Sequence, residues 1–86
     1  MSRQKDLLDM IEIITTAIEI HGNEEDFFRR SSKATTNEPA RALMLEIAND
    51  IASYRQKLEK RRQLLRDELN ALDAAGKRAS PGRAAP

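Results

Sequence analysis

Ser31-Ser32-Lys33-Ala34-Thr35-Thr36-Asn37-Glu38-Pro39 contains no large apolar side chain, whereas both flanks carry apolar residues at helical spacing. Thr36 or Asn37 can cap a new helix by accepting a backbone N–H. Pro39 is tolerated in a first helical turn, where its missing N–H would have had no partner. The stretch predicts a turn over about residues 34–37 between two helices.

Upstream, Leu7, Ile11, Ile14, Ile18, His21, Glu25 and Phe28 follow the three-four alternation of one helical stripe, apolar except near its middle. A second stripe, Met10, Ile13, Ala17, Ile20 and Phe27, lies beside it, and only a narrow polar strip through Asp9, Glu12, Thr16 and Glu19 remains. Gly22-Asn23 is a break signal, because Gly can end a helix and Asn23 could cap a new one with Asp26 three residues on. The stripe nevertheless keeps its phase to Phe28, and an interior Gly costs only about 1 kcal/mol. The expectation is one continuous helix over about residues 4–33.

Downstream, Ala40, Met44, Ile47, Ile51, Tyr54, Leu58, Leu65, Leu69 and Leu72 predict a second helix. It spans about residues 38–75, is roughly 50 Å long, and is closed by a cap at Gly76. Residues 77–86 hold Ser80-Pro81-Gly82 and no large apolar side chain, so they read as a disordered tail whose Lys77, Arg78 and Arg83 could reach an acidic surface. The hairpin then occupies residues 1–76.

Folding back about Thr36 sets Leu7 by Leu65, Ile14 by Leu58, Ile18 by Tyr54, His21 by Ile51 and Phe28 by Met44. The same fold brings Asp6, Asp9 and Glu12 beside Arg66, Arg62 and Lys60. The expected core is Leu7, Ile11, Ile14, Ile18, Phe28, Met44, Ile47, Ile51, Leu58 and Leu65. One partner helix cannot cover both stripes of the first helix, so Met10, Ile13, Ala17, Ile20 and Phe27 are the expected oligomer interface. The fold class is all-α, an antiparallel two-helix hairpin assembling into a four-helix bundle dimer or larger oligomer.

At 86 residues the chain has room for one small core, which is only marginally self-sufficient. It has no Cys and one His, which removes disulfides and thiolate metal sites. With 15 basic against 14 acidic residues, net charge gives no general attraction to nucleic acid or anionic lipid. No apolar run approaches the ~20 residues of a membrane span, and Met1-Ser-Arg-Gln-Lys-Asp6 does not lead into a signal-peptide apolar region. The expected partners are a second copy of the chain and, as an alternative, a protein client; nucleic acid and membrane are not expected. The expected location is cytoplasmic.

His21 and Glu25 stand out because polar groups on a core-facing stripe are costly unless paired or ion-bound. The bland reading is that they pair with each other or with Tyr54 and fix the bundle register. The sharper reading is a metal site built by two-fold assembly from His21, Glu25, Glu46, Asp50 and Tyr54, oxygen-rich and suited to iron or manganese. The expectation is no cofactor, with iron or manganese as the alternative. Ser31, Ser32, Ser53 and Ser80 lack a nearby His, which leaves nucleophilic catalysis unsupported. Arg55, Lys57, Lys60, Arg61, Arg62 and Arg66 form a basic cluster interrupted by Glu59, Asp67 and Glu68, which reads as a solvated, salt-bridged face.

The stretch Ala17-Ile-Glu-Ile-His-Gly-Asn-Glu-Glu-Asp-Phe-Phe-Arg-Arg-Ser-Ser-Lys33 resembles the first helix of a rubrerythrin-type, ferritin-like hairpin, with Phe27 and Phe28 on its aromatic pair. Asn37-Glu-Pro39 and Leu43-Met-Leu-Glu-Ile-Ala-Asn-Asp-Ile-Ala-Ser-Tyr54 are similar to the start of its second helix. The resemblance covers about Ile13 to Arg62. It implies a helical hairpin that completes a four-helix bundle by pairing, as encapsulated-ferritin-like members do. The family's metal positions align with His21, Ile51 and Tyr54. Because Ile cannot ligate, the resemblance implies a non-catalytic relative whose di-iron site is lost or rebuilt, with iron binding and ferroxidase or storage activity as the alternative. Leu58-Glu-Lys-Arg-Arg-Gln-Leu-Leu-Arg-Asp-Glu-Leu-Asn-Ala-Leu72 also resembles the last helix of small flagellar export chaperones, and a chaperone or adaptor for a client helix is the third reading.

Overall fold

The structure, a computed structural model, describes residues 2–78, the side chains of 77 and 78 excepted. Two α-helices, α1 (Arg3–Ala34) and α2 (Glu38–Arg78), form an antiparallel hairpin. The hairpin is a rod of 72 × 18 × 16 Å.

α1 begins where the Ser2 hydroxyl accepts the backbone N–H of Lys5 at 3.1 Å, with Asp6 in the first turn facing the positive end of the helix dipole. The helix passes through Gly22-Asn23 without a break, and no described glycine has positive φ. At Gly22 the nearest atom to an added Cβ is Arg55 Cδ at 3.9 Å, an ordinary contact, so nothing in the packing demands a glycine there.

At the turn, Thr35 is extended (φ −91°, ψ 144°) and its N–H donates to the Ser31 carbonyl at 3.2 Å. Of the two capping candidates it is Asn37 that caps α2, its Oδ1 accepting the Ala40 N–H at 3.0 Å. Arg41 then reaches back, donating from Nε to the Ser32 carbonyl at 3.0 Å and from Nη2 to the Thr35 carbonyl at 2.7 Å. One guanidinium thus satisfies carbonyls that the end of α1 would leave unpaired.

The expected register is displaced by about one helical turn. The His21 ring meets Tyr54, with centroids 5.1 Å apart, where Ile51 was the expected neighbour. Arg62 donates to the Thr15 hydroxyl at 3.2 Å, and Ile14 shares a hollow with Leu65 where Leu58 was expected. The cause lies in the turn: extended Thr35 carries the chain onward past the end of α1 before α2 starts back, so each α1 residue meets a later residue of α2. The predicted alignment of Asp6, Asp9 and Glu12 with Arg66, Arg62 and Lys60 fails for the same reason. Asp9 instead pairs with Lys5 on its own helix at 2.9 Å, and the cross-helix links near that end are Arg3 to Glu68 at 2.7 Å and Gln4 to Asp73 at 2.8 Å.

The predicted cap at Gly76 is also not found, since α2 continues to Arg78. Glycine is permitted, not obliged, to leave the helix, and Ala74-Ala75 before it are strong helix formers. Of the expected tail, residues 77 and 78 are helical and 79–86 lie outside the described residues.

The seam is thin. Among the described residues Leu7, near the free ends, and Ala48 are the fully buried apolar side chains, and Ser32, near the turn, is buried too, its hydroxyl donating to the Arg29 carbonyl at 2.7 Å. Ile11, Ile14, Ile18, Phe28, Met44, Ile47, Ile51, Leu58 and Leu65 are partly buried. Two helices touch along one line, so each shields one side of its neighbour and leaves the shoulders open.

Candidate functional site

The middle of the seam is ionic. Glu25, whose side chain is 14% exposed, accepts from Arg55 Nη2 at 2.7 Å and from Arg29 Nε at 2.8 Å. Arg55 also donates from Nη1 to Glu59 at 2.9 Å, and Arg29 donates from Nη2 to Asn49 Oδ1 at 3.2 Å. The hydrogen bond from Arg55, with that from Arg29 behind it, holds the Glu25 carboxyl below the usual carboxylate range. Both terminal nitrogens of Arg55 are used, while its Nε is buried without a hydrogen-bond partner.

Glu25 and His21 are therefore not partners of each other. His21 Nδ1 lies 2.7 Å from Glu24 Oε1, and the imidazole stands edge-on to Tyr54. The expected register set Ile47 opposite Glu25; Arg55 lies two turns further along α2, and the register slip of about one turn brings Glu25 within reach of its long side chain. The sequence carried a usable signal for this pairing: a Glu on a core stripe requires a cation of equal reach, and Arg55 occupies the core side of α2 between Ile51 and Leu58.

Of the five residues considered for a metal site, the structure brings His21 and Tyr54 together and ties Glu25 to two guanidinium groups. Glu46 and Asp50 are exposed on α2. Among the described residues, no three His, Cys, Asp or Glu side chains gather within the chain in a group fit to hold a metal ion.

One outer face displays large apolar side chains. Ile13, Ile20 and Phe27, spaced by two helical turns, are 68%, 53% and 58% exposed, with Met10 and Ala17 partly buried beside them. From α2 the same side carries Leu43, Tyr54 and Leu64, all more than half exposed. Ile13 and Leu64 flank one hollow, lined also by Met10, Ile14, Arg61 and Leu65, which fixes these residues to a common face of the hairpin. Phe27 packs its ring edge-on to Phe28 with centroids 5.3 Å apart, and Ile20 shares their surface hollow.

Area and shape agree. The chain exposes 6542 Å², against about 5100 Å² for a compact monomer of its mass. Its radius of gyration is 20.3 Å, against about 12 Å for a compact domain of its length. No helix among the described residues is long and apolar enough to cross a membrane.

The fold defines an all-α antiparallel two-helix hairpin with exposed large hydrophobic residues. Beyond that class, no known protein-family model, curated protein or solved structure matches the chain.

Proposed function

We propose that this chain is a non-catalytic helical module that pairs with a second copy of itself and acts through protein contacts. Two hairpins stacked on their apolar faces give a four-helix bundle, in which each helix has two neighbours. The observation that carries this reading is the set of large apolar side chains on one face, Ile13, Ile20, Phe27, Leu43, Tyr54 and Leu64, left open to water on a thin rod. Burying one such side chain contributes about 1.5–3 kcal/mol, and exposed apolar patches mark association surfaces. The resemblance to ferritin-like hairpins supports the same mode of assembly. A di-metal role would require Glu25 to give up Arg55 and Arg29, leaving two cations on a part-buried seam without their carboxylate.

Sedimentation velocity at micromolar concentration is the test. Wild type is expected at about twice 9.7 kDa, and Ile20→Asp with Phe27→Asp at the mass of one chain. A well-folded wild-type monomer with no partner present would remove this reading. A monomer that becomes ordered only with a co-purified protein would transfer the face to a client helix.

A further inference from the structure

The outer face of α2 has the same pattern read in either direction, with charge inverted. Leu43, Glu46 and Asp50 precede Tyr54, and Lys57, Arg61 and Leu64 follow it, all exposed. Matching from the outside inward pairs Leu43 with Leu64, Glu46 with Arg61 and Asp50 with Lys57, about a midpoint between Ser53 and Tyr54. Among the described residues none of these four charges takes an ion pair within the chain. The stripe on α1 repeats every seven residues at Ile13, Ile20 and Phe27, so two neighbours in it exchange about the midpoint between them. With Thr15 level with Arg62, the α2 midpoint lies opposite residues 23 and 24 of α1, midway between Ile20 and Phe27.

Resting on the self-association proposed above, we infer that the partner copy lies antiparallel, its turn at the opposite end of the rod. A two-fold axis then crosses the rod near Asn23 and Tyr54. α1 packs on α1 and α2 on α2. Ile20 meets Phe27 of the other copy, Leu43 meets Leu64, Tyr54 meets Tyr54, Glu46 meets Arg61 and Asp50 meets Lys57. The pairs occur twice by symmetry, so two kinds of ion pair give four contacts.

The other face-to-face dimer has its axis along the rod and both turns at one end. That symmetry forbids sliding, so α1 of one copy must meet α2 of the other at the level the hairpin already fixes. With Thr15 level with Arg62, Ile20 would lie against Lys57, Phe27 against Asp50, and Asp9 against Glu68. Apolar residues would cover charges and like charges would meet, which disfavours that arrangement by several unfavourable contacts at once.

Charge reversal separates the two. Glu46→Arg with Asp50→Lys makes one all-basic face, and Lys57→Glu with Arg61→Glu makes one all-acidic face; all four residues are exposed and the hairpin does not use them. In the antiparallel dimer each variant alone weakens self-association at least about tenfold, and an equimolar mixture restores a dimer of one copy of each. As a second probe, Tyr54→Cys in this cysteine-free chain is expected to cross-link to its own copy on mild oxidation. If wild type is dimeric but the mixture stays dissociated and the introduced thiol does not cross-link, the antiparallel arrangement falls while self-association stands. If wild type itself is monomeric, both fall.

Discussion

Between the helices, at mid-rod, lie Glu25, Arg55, Arg29 and Glu59, whereas the outer surface at the same level displays Ile20, Phe27 and Tyr54. The usual distribution of polar and apolar groups is reversed over this stretch. Ion pairs at a seam restrict which residues may face each other but add little net stability once desolvation is subtracted. Apolar area stabilises wherever it is removed from water, without regard to register. The contrast teaches that the seam sets alignment while the outer face carries apolar area that the hairpin itself leaves unburied.

The largest effect expected at the seam is at Leu7, which is fully buried. Leu7→Ala should lower stability by about 2–5 kcal/mol in denaturant unfolding. A loss under about 1 kcal/mol would mean that the seam near the free ends frays in solution.

Glu25 comes next. Glu25→Gln removes the carboxylate that Arg55 and Arg29 share, and should cost about 2 kcal/mol at neutral pH. The sign with pH follows from the lowered pKa: the folded carboxyl titrates below the unfolded value of about 4.3, so its contribution is full above that value. It is lost as pH falls through the folded value. Thermal melts between pH 7 and pH 2 should show wild type converging on Glu25→Gln in acid, and parallel curves would show that the carboxylate does not stabilise the fold.

The smallest effect has the opposite sign. Gly22→Ala adds a methyl group at ordinary contact distance from Arg55 Cδ in an unbroken helix, and should raise stability by about 0.5–1 kcal/mol. Destabilisation there would indicate that α1 bends at Gly22 when the outer face is covered.

The hairpin was legible because its signals are local. Periodic apolar residues mark α1 and α2, and the polar run ending in Asn37-Glu-Pro39 marks the turn. The continuity of α1 through Gly22 was legible too, from the unbroken phase of Leu7 to Phe28. Register was not, because a count of residues about Thr36 assumes both helices end level, and an extended Thr35 alters that by a turn. The site inherited the error: counting about the turn set His21 level with Ile51, although Tyr54 was among its candidate partners, and Arg55 was read with the solvated basic face instead of opposite Glu25. Arg41 escaped notice for a different reason, since its partners are backbone carbonyls, which leave no trace in side-chain patterns.

The sequence by itself determined that two amphipathic helices form, where they are joined, and that α1 carries more apolar surface than one neighbour can cover. Helical periodicity and capping chemistry act within a few residues and are written directly into the order of side chains. Only the tertiary structure decided which residues meet across the seam, because an axial shift of one turn leaves either helix unchanged yet replaces every cross-helix partner. It alone placed Leu43, Tyr54 and Leu64 on the same side as Ile13, Ile20 and Phe27, since the relative rotation of two packed helices is a property of their contact and of neither chain segment alone.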